Sequence, residues 1–122
     1  MRRLYFAFCT CIIVLSASGQ GLGVLKYDGG GDWYANPTSL KNLAEFTQNT
    51  TGIAAYVHPK EVEVHQLLSS GISFLHVTGH GRIVFSEEQR KILKSFTARG
   101  GFIHFDDNYG MKDFVLEELP LI

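Results

Sequence analysis

Apolar residues run almost unbroken through three stretches: "LGVLKY" at 22–27, "ISFLHVTG" from Ile72 to Thr78, and "FIHFDD" at Phe102–Asp107. Short continuous apolar runs bounded by turn residues predict strands buried on both faces. Between them the period changes. Leu40, Leu43, Ala44 and Phe46 recur at helical spacing up to about Thr50. "NPTSL" precedes them, with Pro37 early and Thr38 or Ser39 as N-cap, and Gly52 is the expected stop. A second helix opens at Ser86, where Gln89 three residues on completes a capping box and Glu87 and Glu88 fill the first turn. Gln89, Ile92, Leu93 and Phe96 mark its inner face, and Gly100 and Gly101 end it. Three further elements remain. "IAAYV" at 53–57 reads as a strand closed by Pro59. "EVEVH" at 61–65 alternates, as an edge strand or an extended loop. "MKDFVLEEL" begins a helix before Pro120. Strands alternating with helices predict an α/β fold with an open, mostly parallel sheet covered by helices on both faces. The chain stops at Ile122, soon after its fourth good strand, so either the product is truncated at the C-terminus or something else covers the sheet edge.

Three polar clusters each follow a predicted strand: "DGGGDWY" at 28–34, "TGHG" at 78–81 and "DDNYG" at 106–110. In a parallel sheet the carboxyl ends of all strands share one edge, where ligands bind. Segments far apart in sequence are therefore expected to meet, and the candidate binding set is Asp28, Gly29, Gly30, Gly31, Asp32, Trp33, Tyr34, Thr78, Gly79, His80, Gly81, Asn108 and Tyr109. Phosphate is a poor ligand for this loop. A dinucleotide fingerprint needs its glycines to lead into a helix, and here Asp32–Asn36 intervene, with no Gly-Lys-Ser/Thr elsewhere. Asp28 and Asp32 would repel an anion by a few kcal/mol each at intermediate dielectric. The glycines instead allow positive φ and close backbone approach.

A divalent cation is the candidate cofactor. Asp28, Asp106 and Asp107 are its candidate ligands, with Asp32 and His80 near, a set suited to Ca²⁺, Mg²⁺ or Mn²⁺ more than to Zn²⁺. Strand alternation should turn only one of Asp106 and Asp107 inward unless the strand has ended. The plainer alternative has Asp28 and Asp106 capping helices or bonding loop amides. The catalytic candidates are His80, Asp106 and Asp107, though the plainer reading of His80 is a loop-ordering hydrogen bond. His76 and His104 lie inside strands and are expected to be satisfied buried histidines; His58 and His65 look like surface positions. Trp33, Tyr34 and Tyr109 either stack a sugar ring at the crevice mouth or pack the loops onto the sheet. "NTT" at Asn49 matches a glycosylation acceptor pattern.

The N-terminus changes the chemistry available. Arg2 and Arg3 precede an apolar run from Leu4 to Leu15 and then small residues. This is the pattern of a secretory signal at residues 1–19, cleaved after Gly19 with Ala17 and Gly19 as the small pair. It leaves one domain at 20–122, exported to the periplasm or the exterior. The run is shorter than the roughly 20 residues a spanning helix needs. The rival reading is an uncleaved anchor, the only membrane contact the sequence suggests. No lipoprotein arrangement surrounds Cys9 or Cys11. Both cysteines lie inside the signal, so the mature chain lacks disulfides, a cysteine nucleophile and a thiolate metal site. Removing Arg2 and Arg3 takes the eleven basic residues to nine, against twelve acids, a balance of about −3. Nucleic-acid binders usually show a basic face, and nothing in this balance suggests one, so no nucleic-acid partner is expected.

"LKYDGGGDWYANPTSLKNL", "TGHGRIVFSEEQRKIL" and "GGFIHFDDNYGM" together resemble the domain-of-unknown-function 4159 family, from Val24 to about Met111. The resemblance implies exported or membrane-linked bacterial proteins and a fold like class I glutamine amidotransferases, related to the flavodoxin-like arrangement. The family has no established activity, and its members usually continue past the last motif. By that analogy "TGHG" stands at the glycine loop, and Asp106 or Asp107 near the nucleophile's position. A carboxylate cannot replace the thiolate there, so amidotransferase activity is not expected. The leading expectation is a non-catalytic exported module that binds a polar ligand or an envelope protein partner in the strand-end crevice. The alternative is a metal-assisted hydrolase of cell-envelope carbohydrate or peptide, with Asp28, Asp106 and Asp107 on the ion and His80 as acid or base. A third reading is a degraded paralogue.

Overall fold

The computed structural model describes residues 21–53 and 59–110, together with Lys112, Val115, Leu116, Pro120 and Ile122. Its elements are β1 (Leu22–Lys26), α1 (Ser39–Thr51), β2 (Lys60–Glu63), a 3₁₀ helix (Val64–Ser69), β3 (Phe74–Gly79), α2 (Glu87–Ala98) and β4 (Phe102–Asp107). All strand pairs are parallel, in the order β2-β1-β3-β4. The protein is thus an α/β fold with an open parallel sheet flanked by helices, and its strand order matches the start of the flavodoxin-like 2-1-3-4-5 arrangement. From β1 the chain runs outward to β2. From β3 it runs the opposite way to β4. The switch point therefore lies between the ends of β1 and β3, and the loops diverging there leave a crevice.

Local chemistry accounts for most boundaries. The Ser86 hydroxyl accepts from Gln89 N–H at 3.2 Å and Gln89 Oε1 accepts from Ser86 N–H at 2.8 Å, the box expected at the start of α2. Gly52, in the left-handed region at φ 71°, ends α1 by donating its N–H to the Gln48 carbonyl. Thr38 precedes α1 without a side-chain cap. The ambiguous "EVEVH" segment divides. Its first half is an edge strand paired to β1, and from Val64 it turns into the 3₁₀ helix. Val64 and Leu67, three residues apart, are both buried, so helical spacing takes over from alternation. Beyond Ile53 the strand expected at 53–57 lies outside the described residues, as do His58, the signal at 1–19 and most of the helix expected from Met111.

The sheet faces are covered unequally. Leu25, Leu75 and Val77 meet α2 and the 3₁₀ helix through Leu93, Phe96, Val64 and Leu67, with Ile83 and Phe85 closing the core. On the other face Leu40 and Ala44 of α1 cover Leu22, Val24 and Phe74. Expectation and structure differ here: Leu43 and Phe46 are exposed, because α1 lies over β1 with only one narrow stripe facing inward. Among the described residues β4 is an uncovered edge on this face, with Phe102 and His104 exposed.

Candidate functional site

The three polar turns meet. Asp32 N–H donates to the His80 carbonyl at 3.2 Å, and Asn108 N–H donates to the Gly79 carbonyl at 3.3 Å. Thr78 is the hub. Its Oγ1 accepts from Asn36 Nδ2 at 2.8 Å and from Asn108 Nδ2 at 3.3 Å, and its carbonyl accepts from the Tyr27 hydroxyl at 3.0 Å. One buried side chain at the end of β3 thereby holds the turn after β1 and the turn after β4. Two glycines make the close approach possible. A Cβ on Gly31 would stand 2.6 Å from the Tyr27 ring, and one on Gly79, at φ 141°, would run into the Tyr27 hydroxyl and Asp32. The glycine run therefore turns tightly, at φ 114° for Gly29 and 88° for Gly30, and packs against a neighbouring turn.

A cleft of about 620 Å³ opens above these contacts, lined by Ala35, Asn36, His80, Asp106, Asp107, Asn108 and Tyr109. Asp106 and Asp107, the last two residues of β4, both line it. Tyr109 is almost fully exposed and is the one non-glycine with positive φ, 69°, among the described residues. A smaller pocket of about 140 Å³ adjoins, with Trp33, Tyr34, Pro37, Leu40 and Glu61 in its wall, and Asn36 borders both.

Residues 21–120 match the family model described as Domain of unknown function (DUF4159). The chain belongs to this family. The search of curated proteins found no match.

Within this DUF4159 domain the sharpest polar contact joins Asp32 to His80, 48 residues apart. The carboxylate accepts from the His80 backbone N–H and meets the ring Nδ1 at 3.0 Å through Oδ2. Those contacts, the backbone N–H first, hold the Asp32 carboxyl below its ordinary range. Asp32 thus orders the loop and also fixes the Nδ1 edge of the ring, which leaves Nε2 as the edge for a ligand. Tyr27 is pushed the other way. Burial and then the Asp32 charge raise its hydroxyl to about 12, so it stays protonated and donates to Thr78 throughout the physiological range.

Other candidates fall elsewhere. Asp28 does not join Asp106 and Asp107. Its backbone bridges Val84, and it lines a separate cleft with Lys26, Glu63 and His65. Among the described residues no three His, Cys, Asp or Glu side chains stand close enough to hold a metal ion. Amide bonding of the expected kind is present on different acids: Asp32 serves His80, and Asp107 Oδ1 accepts from Gly110 N–H at 2.9 Å. Gly81 packs against Gly31. Trp33 and Tyr34 contact edge to face at 5.5 Å, and the Lys26 ammonium lies 4.9 Å from the Trp33 ring centroid while pairing with Glu61 at 3.4 Å.

Sequence reasoning missed Asn36, the Asp32–His80 pair and a histidine pair. His76 and His104 stack nearly parallel with their Nδ1 atoms 3.1 Å apart. His104 is exposed rather than buried, because β4 is an edge. His76 is buried as expected, at 3 % exposed, but its Nε2 lacks a hydrogen bond among the described residues, so the expectation of two satisfied buried histidines holds only for the burial of His76. Burial, then His104, lowers the His76 pKa, and Asp106 opposes the shift. The parallel register that sets His76 beside His104 could not be read before the strand order was known.

Proposed function

We propose that this DUF4159 domain is an exported binding module. Its strand-end cleft holds a polar ligand or the polar tip of an envelope protein by non-covalent contacts. The observation that carries the reading is the convergence on Thr78, which binds three turns into a concave surface with acidic, amide and imidazole groups. Among the described residues no Lys or Arg lines this cleft, which disfavours anions. No Ser, Thr or Cys lines it either, which favours binding over acyl transfer. The test is a thermal-shift screen with neutral, cationic and anionic small molecules. A ligand at a hundred times its Kd stabilises by about 2.7 kcal/mol. A shift with a neutral or cationic class, lost in His80→Ala, supports the reading; selective stabilisation by anions refutes it.

The Asp32–His80 pair favours one second reading, a hydrolase in which Asp32 orients His80 as acid or base. Turnover of envelope peptides or glycans that disappears in His80→Ala without loss of stability would replace the binding reading with this one.

A further inference from the structure

We infer that the ligand is a neutral glycan lying across Asn36, with one sugar unit in the large cleft and the next against Tyr34. The inference rests on the reading of the cleft as a binding site and adds the ligand's class. Its basis is the combination of two surfaces. The large cleft presents hydrogen-bond acceptors, the Asp106 carboxylate foremost and the Asp107 carboxylate, whose Oδ1 already accepts from Gly110 N–H, and one N–H of Asn36 and one of Asn108 are already donated to Thr78. A ligand rich in hydroxyl donors satisfies such a wall. The adjoining pocket is apolar and aromatic, and its Glu61 is neutralised by Lys26 at 3.4 Å. Sugar rings carry both features: hydroxyls around the rim and a C–H face that packs on aromatic rings.

The aromatic rings are placed for this use. Tyr34 is 64 % exposed beside the small pocket, and Tyr109 is 96 % exposed beside the large one. Neither belongs to a core cluster. Lys26 already covers the Trp33 ring, which makes Trp33 a reporter rather than the platform. A simple cation is the competing occupant of an acidic cleft, but no third ligand accompanies Asp106 and Asp107 among the described residues.

Trp33 is the only tryptophan of the chain and lines the small pocket, so its fluorescence reports binding there, and the Tyr34 and Tyr109 variants separate this from the Asp28 cleft that it also borders. The purified full chain is titrated with chitotetraose, cellotetraose and maltotetraose, and in parallel with a heparin tetrasaccharide, Ca²⁺ and spermidine. The expected result is a saturable change with at least one neutral tetrasaccharide and none with the heparin fragment. Affinity should fall by about tenfold or more in Tyr34→Ala, Tyr109→Ala and Asp106→Asn, while circular dichroism and melting temperature stay those of the parent for the two tyrosine variants. No change with any neutral tetrasaccharide to about 10 mM, or equal affinity in all three variants, overturns the inference. If the sugars fail but Ca²⁺ or spermidine gives an Asp106-dependent thermal shift, the glycan falls and the binding cleft stands. If sugars, Ca²⁺ and spermidine all fail to shift the protein, the glycan falls and so does the small-ligand form of the binding reading.

Discussion

Replacing Thr78 by Val tests whether one hydroxyl holds the site together. The substitution keeps the shape of a side chain that is 1 % exposed and removes only the oxygen that accepts from Asn36 at 2.8 Å and Asn108 at 3.3 Å. A net intramolecular hydrogen bond contributes about 0.5–1.5 kcal/mol. The longer bond belongs at the bottom of that range. Both amides are half-buried, so water recaptures part of what they lose, and the full cost of an orphaned buried donor does not apply. The expected destabilisation is about 1–2 kcal/mol, and a domain of this size loses roughly 4–8 °C in Tm per kcal/mol. Thr78→Ser keeps the hydroxyl and should lose less. A urea-denaturation cycle with Thr78→Val, Asn108→Ala and the double variant isolates the shared term, expected at about 0.5 kcal/mol or more. Hydrogen exchange at the Asn108 amide should speed up in Thr78→Val. A Val variant with parental stability and unchanged exchange would refute the argument, showing that the backbone bonds Asp32–His80 and Asn108–Gly79 hold the turns unaided.

Gly79→Ala should destabilise by about 2–4 kcal/mol, since left-handed strain of about 1–3 kcal/mol adds to overlap with Tyr27 and Asp32; chemical denaturation measures it, and a neutral result would mean the turn adapts freely. Leu75, fully buried beneath α2, should cost about 2–5 kcal/mol on truncation to Ala by the same assay. Stability should fall as pH drops below about 6.5, because His76 binds protons less readily folded than unfolded, so acid favours the unfolded chain. Urea midpoints from pH 7.5 to 5 (spanning the titration range of histidine) follow this loss, and His76→Leu should flatten the curve there. Asp32, also depressed when folded, contributes stability that is lost only at lower pH, as the medium passes below about 3.9 toward its folded value, so Asp32→Asn should flatten the acid limb without altering the slope near pH 6.

Much of the framework was legible because it is written in short-range patterns. β1, β3, β4, α1 and α2 all carry a continuous apolar run, a period near 3.6, a cap or a terminating glycine within a few residues of where the structure starts or ends them. Convergence of the three turns was also legible, since it follows from parallel strands alone. What failed depended on neighbours distant in the chain. Asp28 was grouped with Asp106 and Asp107, but the residue that faces the β3 turn is Asp32. The chain had to bend through Gly29–Gly31 before that choice was made, and the packing of Gly31 on Tyr27 decides it. Leu43 and Phe46 fit the helical period yet stay exposed, because periodicity defines a stripe and says nothing about how wide a surface the sheet offers it.

Sequence alone determined the types of β1, β3, β4, α1 and α2, the α/β class, the family and the edge of the sheet where chemistry collects, since each depends on residues within a turn or strand of one another. Tertiary structure alone decided the order β2-β1-β3-β4, the contact between Asp32 and His80, the stacking of His76 on His104, and the role of Thr78 as the shared acceptor. Those depend on strand adjacency and register, which the packing of the whole chain selects and no local window contains.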